Sequence, residues 1–186
     1  MKRLLVTGAT GTLGRALLCA AAGEHTWQVV PATHTQTLPD GLRLELSQPA
    51  SIRKALDEAR PDAVIHTAAV TDTGHAEGHP EEAMRVNRDG TLTLARECHS
   101  RGLRLLALST DLVFPGREGG LYREEDEVFP ISHYGRSKAE AERMALAAMP
   151  EILIVRTTLL LANGKRGHVA WIKRDLALGG ASYHVD

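Results

Sequence analysis

Tyr134 and Lys138 are the pair in this sequence whose types and spacing most directly suggest chemistry. They stand four residues apart at the start of an alanine- and glutamate-rich segment, and residues i and i+4 share one face of a helix. A nearby ammonium group favours the phenolate and lowers the pKa of a tyrosine. The pair therefore predicts a tyrosine that exchanges a proton near neutral pH, although a packed aromatic on an amphipathic helix has the same spacing.

A glycine-rich turn near the N-terminus predicts a dinucleotide site. Residues 2–7 are typical of a buried strand, and a helix is expected from the turn to about Ala22. Strand, glycine-rich turn and helix in this order form a dinucleotide-binding turn, although the spacing here is G-x-x-G-x-x-G. The glycines allow a tight turn and close approach to a pyrophosphate, which the helix N-terminus also attracts. The residues expected to contact the cofactor here are Gly8, Thr10, Gly11, Thr12, Leu13 and Gly14.

The end of the second predicted strand, residues 27–32, bears on the choice between NAD(H) and NADP(H). An acidic residue there would hydrogen-bond the ribose 2′-hydroxyl and favour NAD(H). Thr33 and His34 stand there instead, so NADP(H) is favoured over NAD(H), although no arginine demands it. Further cofactor contacts are expected at the ends of later strands and from the tyrosine–lysine pair: Leu46, Ala68, Ala69, Ser109, Tyr134 and Lys138.

The order of predicted elements indicates an α/β fold. Further strands are expected at residues 42–46, 63–65, 103–108 and 151–156, and further helices at 49–60, 81–100, 134–149 and 168–178. Residues 70–79 are predicted to be a loop, and residues 111–133 an irregular connection. Strands that alternate with helices predict a Rossmann-like, doubly wound parallel sheet with helices on both faces.

Composition excludes several classes of function. The chain has 186 residues and a formal net charge of −1, with both signs mixed, so bulk electrostatics favour neither a nucleic acid nor an anionic membrane as partner. No apolar run approaches the roughly 20 residues of a membrane span. Cys19 and Cys98 are isolated within predicted helices, and we expect buried thiols in a cytoplasmic protein.

Two polar segments invite a metal interpretation that their details do not support. His75 and His79 are four apart, but the glutamate between them is one position too late for H-E-x-x-H, and glycines and a proline interrupt the segment. The acidic run at residues 124–127 is more simply a solvated turn. No metal site is therefore predicted.

Six segments taken together resemble the extended short-chain dehydrogenase/reductase superfamily and, within it, the dTDP-4-dehydrorhamnose reductases. These are residues 7–14, 61–69, 86–91, 109–114, 134–138 and 156–157. The S-T-D-x-V-F and Y-G-x-S-K segments are the most specific, and their order and spacing match over most of the chain. The resemblance implies NADPH-dependent reduction of a small-molecule 4-keto sugar nucleotide, and it admits a homodimer.

The resemblance also implies roles for individual residues. Thr110 would polarise the substrate carbonyl, Tyr134 would deliver the proton, and Lys138 would bind the nicotinamide ribose and hold the tyrosine pKa down. Asn87 would support a water-linked proton relay to the lysine. The residues expected to contact the substrate are Thr71, Asp111, Val113 and Phe114.

Length is the main departure from the resemblance, since such reductases are longer and build most of their substrate domain from the last third. Residues 1–186 are expected to form an NAD(P)-binding domain, in which 157–186 begin a truncated substrate-binding portion. Val70 also stands where these reductases commonly have tyrosine. Two alternatives stay open. One is an epimerase or dehydratase of the same superfamily, and the other is a regulatory subunit that binds a dinucleotide without catalysis.

Overall fold

The computed structural model describes residues 1–23, 25–117 and 121–160. Its described part contains a six-stranded parallel sheet in the order β3-β2-β1-β4-β5-β6. The strands are β1 (Lys2–Thr7), β2 (Trp27–Thr33), β3 (Leu42–Arg43), β4 (Ala63–His66), β5 (Arg104–Thr110) and β6 (Leu153–Thr157). This order is that of a doubly wound fold, whose ligands bind where the strand order reverses, here between β1 and β4. The predicted fold class is confirmed.

Helical segments connect the strands. They are α1 (Thr12–Ala21), α2 (Pro49–Ala59), α3 (Thr73–Gly78), α4 (Pro80–Ala83), a π-helix (Met84–Asp89), α5 (Gly90–Ser100), a 3₁₀ turn (Asp111–Val113) and α6 (His133–Ala148). None of the helices within the described ranges is long and apolar enough to cross a membrane.

Helices cover the sheet because its central strands are apolar on both faces. Leu5 and Val6 of β1 are fully buried, and the core extends through Ile52 and Leu56 of α2 to Leu94 of α5. A buried strand of this kind needs apolar cover on each side, which the flanking helices provide.

Some local predictions are wrong. The segment 70–79 is not a loop throughout, because Oδ1 of Asp72 accepts a hydrogen bond from the His75 N–H at 2.7 Å and caps α3. Cys98 is buried as expected, but Cys19 is exposed, since Gly14 is the only buried residue of α1. The third strand was expected over residues 42–46, yet only Leu42 and Arg43 pair with β2.

The predicted helix over residues 81–100 is interrupted by the π-helix between α4 and α5. Such wide turns occur frequently at functional sites, and this one contains Asn87. The predicted helix at 168–178 and the proposed start of a substrate-binding portion beyond residue 160 lie outside the described residues.

Candidate active site

A cleft of about 1140 Å³ lies at the carboxyl edge of the sheet. A volume of this order suits an extended ligand of dinucleotide size. Nearly all of the predicted cofactor residues line it: Gly8, Thr10, Gly11, Thr12, Leu13, Thr33, His34, Leu46, Ala68, Ala69, Ser109, Tyr134 and Lys138. Thr71, Thr110 and Asp111 line it as well. Gly14, Asn87, Val113 and Phe114 are not among the lining residues, and all four are buried.

The glycine turn is shaped by close backbone approaches. Gly8 has a φ of +67°, and a Cβ there would lie 2.8 Å from the backbone N of Ala68. A Cβ on Gly14 would lie closer than 3.0 Å to the carbonyl oxygen of Gly8, so α1 packs directly against the turn. No side chain caps α1 at Gly11, which leaves the first N–H groups of the helix for a phosphate. The turn therefore fits the pyrophosphate of a dinucleotide.

The end of β2 differs from the sequence-based expectation. The Nε2 atom of His34 forms an ion pair with Oε2 of Glu45, a residue that follows β3. The other carboxylate oxygen accepts hydrogen bonds from the Ser47 N–H at 3.1 Å and the Ser47 hydroxyl at 2.7 Å. Burial raises the pKa of Glu45, but the Ser47 hydrogen bonds and the nearby charges outweigh it and lower the pKa below its usual value. A carboxylate, that of Glu45, therefore lies beside the end of β2, where the sequence predicted none.

Tyr134 and Thr110 lie side by side in the lining of the cleft. Tyr134 lies in the first turn of α6, which Ser132 caps by accepting a hydrogen bond from the Gly135 N–H at 3.0 Å. Thr110 ends β5, and its hydroxyl donates to Oδ1 of Asp111 at 3.1 Å. Burial raises the pKa of Tyr134, hydrogen bonding with Thr110 lowers it, and the charge of Asp111 raises it. The net shift is upward, contrary to the expectation that Lys138 lowers it, so Tyr134 holds its proton at neutral pH.

Lys138 lies one turn after Tyr134 on α6 and is almost completely buried. Its Nζ donates a hydrogen bond to the carbonyl oxygen of Leu108 at 2.7 Å. Burial lowers the pKa of Lys138 to about 8, although the charge of Glu142 opposes the shift. The amine can therefore exchange a proton close to neutral pH, as a group in a proton-transfer site must.

Asn87 ties the loop after β4 to the tyrosine helix. Its Oδ1 accepts from the Val70 N–H at 2.8 Å, and its Nδ2 donates to the Val70 carbonyl at 3.0 Å and to the Ser137 hydroxyl at 2.9 Å. The Ser137 hydroxyl donates in turn to the Tyr134 carbonyl at 2.7 Å. Both N–H donors of the amide are used in these bonds, so the geometry supports a positioning role for Asn87 rather than a side-chain step in a proton relay.

His66, which sequence reasoning did not single out, links three elements below the cleft. Its Nδ1 lies 2.7 Å from the Thr7 hydroxyl, and that hydroxyl also accepts from the N–H groups of Thr67 at 3.2 Å and Ala68 at 3.3 Å. Because both lone pairs of the hydroxyl are occupied, its hydrogen must point at Nδ1. The ring hydrogen is therefore on Nε2, which donates to the Thr91 hydroxyl at 3.1 Å.

The neutral tautomer of His66 agrees with its surroundings. Burial and, to a smaller extent, the charge of Lys138 together lower the pKa of His66 to about 3. A neutral ring keeps the Thr7 hydroxyl in place, and that hydroxyl holds the Ala68 N–H beside the glycine turn. The only sequence signal for this role was a polar residue at the end of a buried strand.

Arg156 and Glu142 form a second buried feature that was missed, although Arg156 stood in one of the matched segments. The guanidinium donates to Glu142 from Nη2 at 2.7 Å and from Nε at 3.1 Å. It also lies over the ring of Phe114 at 5.0 Å, and that ring stacks on Tyr122 with centroids 4.3 Å apart. Phe114 is thereby turned to the interior, where it supports the loop after β5 and does not face the cleft.

The histidines considered for a metal contact other side chains of the protein. Nε2 of His75 lies 3.1 Å from Oε2 of Glu82, which accepts its hydrogen bond, and the His75 ring stacks on that of His79 with centroids 4.4 Å apart. Across the described ranges, no group of three or more histidine, cysteine, aspartate or glutamate side chains is arranged to hold a metal ion.

Comparisons with known proteins point to one family. The family model described as "RmlD substrate binding domain" matches residues 1–181. The chain is 40% identical over 169 residues to a dTDP-4-dehydrorhamnose reductase of Streptomyces griseus, an alignment that covers 90% of this chain and 53% of the relative. It is 36% identical over 182 residues to the Mycobacterium tuberculosis enzyme of the same name, of which it covers 57%.

Solved structures give the same result. A dTDP-4-dehydrorhamnose reductase of Clostridium acetobutylicum superposes with a TM-score of 0.81 at 32% identity, over 95% of this chain and 59% of that one. The Bacillus anthracis dTDP-4-dehydrorhamnose reductase in complex with NADP superposes with a TM-score of 0.83 at 28% identity, over 96% of this chain and 60% of that one. The chain thus spans between 53% and 60% of the length of these relatives.

Proposed function

The chain belongs to the RmlD substrate-binding domain family, and from that premise we propose that it carries the dinucleotide-binding and proton-transfer parts of a reductase for 4-keto sugar nucleotides. Residues 1–186 would form the NAD(P)-binding domain, with 157–186 beginning the substrate-binding portion. The activity, the substrate and the cofactor are taken from the names of relatives that are longer than this chain.

One observation carries the proposal, namely that the glycine turn, Thr110, Tyr134 and Lys138 all line a single cleft. They come from three separate parts of the chain, namely the turn after β1, the end of β5 and α6, and the parallel sheet brings them to one edge. A phosphate-binding turn together with titratable groups of shifted pKa indicates a catalytic site for a dinucleotide-dependent reaction.

The residues present fit a nicotinamide dinucleotide. Gly8, Gly11 and the N-terminus of α1 would hold the pyrophosphate, and Tyr134 and Lys138 would flank the nicotinamide ribose. The buried hydroxyl of Ser109 lines the same cleft and has no hydrogen-bond partner within the described residues, so it offers a further polar contact. A bound cofactor, for which we propose NADP(H), supplies the hydride that reduces the carbonyl carbon.

The protein's own residues would supply the proton and the electrostatic stabilisation. The Tyr134 hydroxyl is protonated at neutral pH, as its raised pKa keeps it, and would give its proton to the carbonyl oxygen of the substrate. The Thr110 hydroxyl, aligned by its acceptance of the Leu112 N–H at 3.2 Å, would turn to hydrogen-bond the same oxygen. Lys138 offsets the negative charge left on the tyrosine oxygen and returns a proton to it.

The test is turnover of dTDP-4-dehydrorhamnose with NADPH, followed by the loss of reduced-nicotinamide absorbance. Tyr134→Phe should lower the rate by roughly 10²- to 10⁴-fold, the usual contribution of general acid catalysis, without loss of NADPH binding. Tyr122→Phe is the matched control, because the Tyr122 hydroxyl accepts from the Arg117 N–H at 2.7 Å and does not line the cleft. An unchanged rate in Tyr134→Phe would contradict the assigned role.

Two other outcomes correspond to the alternatives. NADPH binding without turnover would indicate a dinucleotide-binding module that lacks the residues needed for catalysis. This outcome is worth testing because the chain covers 53% of one relative. Product formation without net consumption of NADPH would indicate an epimerase or dehydratase with a tightly held cofactor.

A further inference from the structure

We propose that Glu45 and His34 together set the preference of the cleft between NADPH and NADH. Glu45 acts against a 2′-phosphate, and His34 offsets that repulsion. The proposal rests on the proposed dinucleotide function and goes beyond it, because it assigns the discrimination to a residue outside the end of β2.

The position of the pair in the fold is the first argument. His34 directly follows β2, and this end of β2 adjoins the glycine turn, since the Ala9 N–H donates to the Ala32 carbonyl at 3.2 Å. In doubly wound folds, the residue at the end of the second strand contacts the 2′ position of the adenosine ribose. The Leu44 N–H donates to the Thr33 carbonyl at 2.8 Å, which places Glu45 beside this point.

Glu45 is held rigidly with its charge toward the cleft. Both hydrogen-bond donors of Ser47 engage one carboxylate oxygen, and the Glu45 N–H donates to the Ser51 hydroxyl at 2.9 Å. The side chain is 18% exposed, whereas that of His34 is 58% exposed. The carboxylate cannot swing away from an incoming anion without losing these bonds.

Charge makes the pair selective. Among the described residues that line this end of the cleft, residues 32–35 and 44–47, Glu45 is the only acid and His34 the only base. A phosphate monoester carries close to two negative charges near neutral pH, and NADH lacks it. Repulsion by Glu45 would therefore act on NADPH far more strongly than on NADH, and a hydrogen bond from the His34 ring to the 2′-phosphate would offset it.

The experiment is calorimetric titration of the full chain with NADPH, NADH, 2′,5′-ADP and 5′-ADP at one ionic strength. Glu45→Gln should raise the affinity for NADPH relative to NADH by about tenfold. This is the size of effect that corresponds to a shift of one pKa unit in an ionisable group. His34→Ala should lower the same ratio by about tenfold. The affinity of 2′,5′-ADP relative to that of 5′-ADP should shift in the same directions, since only 2′,5′-ADP carries the 2′-phosphate and neither probe carries the nicotinamide.

Glu58→Gln is the matched control, because Glu58 is exposed on α2 and its ion pair among the described residues is with Lys54 at 3.8 Å. Its NADPH-to-NADH ratio should equal that of the unaltered chain. Thermal unfolding establishes that each variant is folded, and His34→Ala keeps the proposal testable should Glu45→Gln fail to fold. Equal changes for both cofactors, or an unchanged ratio in both variants, would overturn the proposal while leaving the dinucleotide function intact. Absence of binding by every probe would overturn the proposed function itself, and this proposal with it.

Discussion

Gly135 of α6 packs directly against the carbonyl oxygen of Leu112 in the turn after β5. A Cβ on Gly135 would lie closer than 3.0 Å to that oxygen, and it would also meet Pro130 Cβ at 3.0 Å. The first turn of α6 can therefore touch the segment that carries Thr110 only because residue 135 has no side chain. This close approach brings Tyr134 beside Thr110.

Gly135→Ala is expected to impair catalysis by displacing Tyr134. The carbonyl of Leu112 is backbone and cannot rotate away, so the helix must shift by a fraction of an ångström or more. A misplacement of about 1 Å can cost on the order of 10²-fold in rate, so we expect a loss of roughly tenfold to a hundredfold in kcat. Gly78→Ala in α3 is the control, since a Cβ there meets nothing within 4 Å. Equal rates for the two variants would refute the packing argument.

Lys138→Met is expected to stabilise the fold while it abolishes turnover. Burial lowers the pKa of Lys138 from 10.5 to about 8, so the folded state bears the cost of a buried charge below pH 8. Removing that charge should raise the free energy of unfolding at pH 7 by about 2 kcal/mol, less than the full shift because the bond to Leu108 is lost.

The pH dependence gives the sign of this effect. Between pH 8 and 10.5 the unfolded chain binds more protons at Lys138 than the folded chain does, so the stability of the unaltered protein rises with pH across this window. The advantage of Lys138→Met should therefore shrink from pH 8 upward in urea unfolding curves. A constant difference from pH 7 to 10.5 would show that the lysine charge is not costly in the folded state.

Arg156→Ala is expected to destabilise the protein through the charge that it leaves behind. The Glu142 side chain is only 7% exposed, and breaking a buried pair typically costs about 3–5 kcal/mol. Replacing both partners, as in Arg156→Met with Glu142→Leu, should restore much of the loss because no buried carboxylate is left without its arginine. Arg143→Ala is the control for burial. Arg143 also forms an ion pair, with Glu140 on the same helix at 2.6 Å, but that pair is exposed to solvent. That variant should hardly change the urea midpoint.

His66→Asn is expected to flatten the acid dependence of stability. The pKa of His66 is lowered from 6.5 to about 3, so from pH 6.5 down to 3 the unfolded chain takes up a proton that the folded chain excludes. Stability is therefore lost as the pH falls through this window, by up to roughly 4 kcal/mol from this group.

Asparagine can replace Nδ1 as the acceptor for Thr7 but does not titrate. The variant should be less stable than the unaltered protein at pH 7, and the difference should narrow towards pH 4. His25→Asn, at an exposed position, should leave the slope as it is. Nitrogen NMR of the unaltered chain provides a second measurement, since His66 should show one tautomer, with the hydrogen on Nε2, from pH 5 to 8. A titrating His66 signal in that range would contradict the hydrogen-bond assignment.

Much of the fold followed from local patterns in the sequence. Short apolar runs that alternate with amphipathic segments predicted the parallel sheet, and the glycine spacing placed the phosphate turn. Errors arose where a single side chain stabilised a local structure that the residue pattern did not predict. Asp72 does so by capping α3. Cys19 was misplaced because an alanine-rich helix carries little information about which face it buries.

The sequence by itself determined the fold class, the family and the tyrosine, lysine and threonine of the cleft, because these depend on residue types at fixed spacings. Only the tertiary structure decided which distant groups meet. It placed Glu45 against His34, fixed the tautomer of His66 through Thr7 and Thr91, and turned Phe114 away from the cleft. The physical reason is that burial and charge pairing depend on distance in space, and separation along the chain does not reveal that distance.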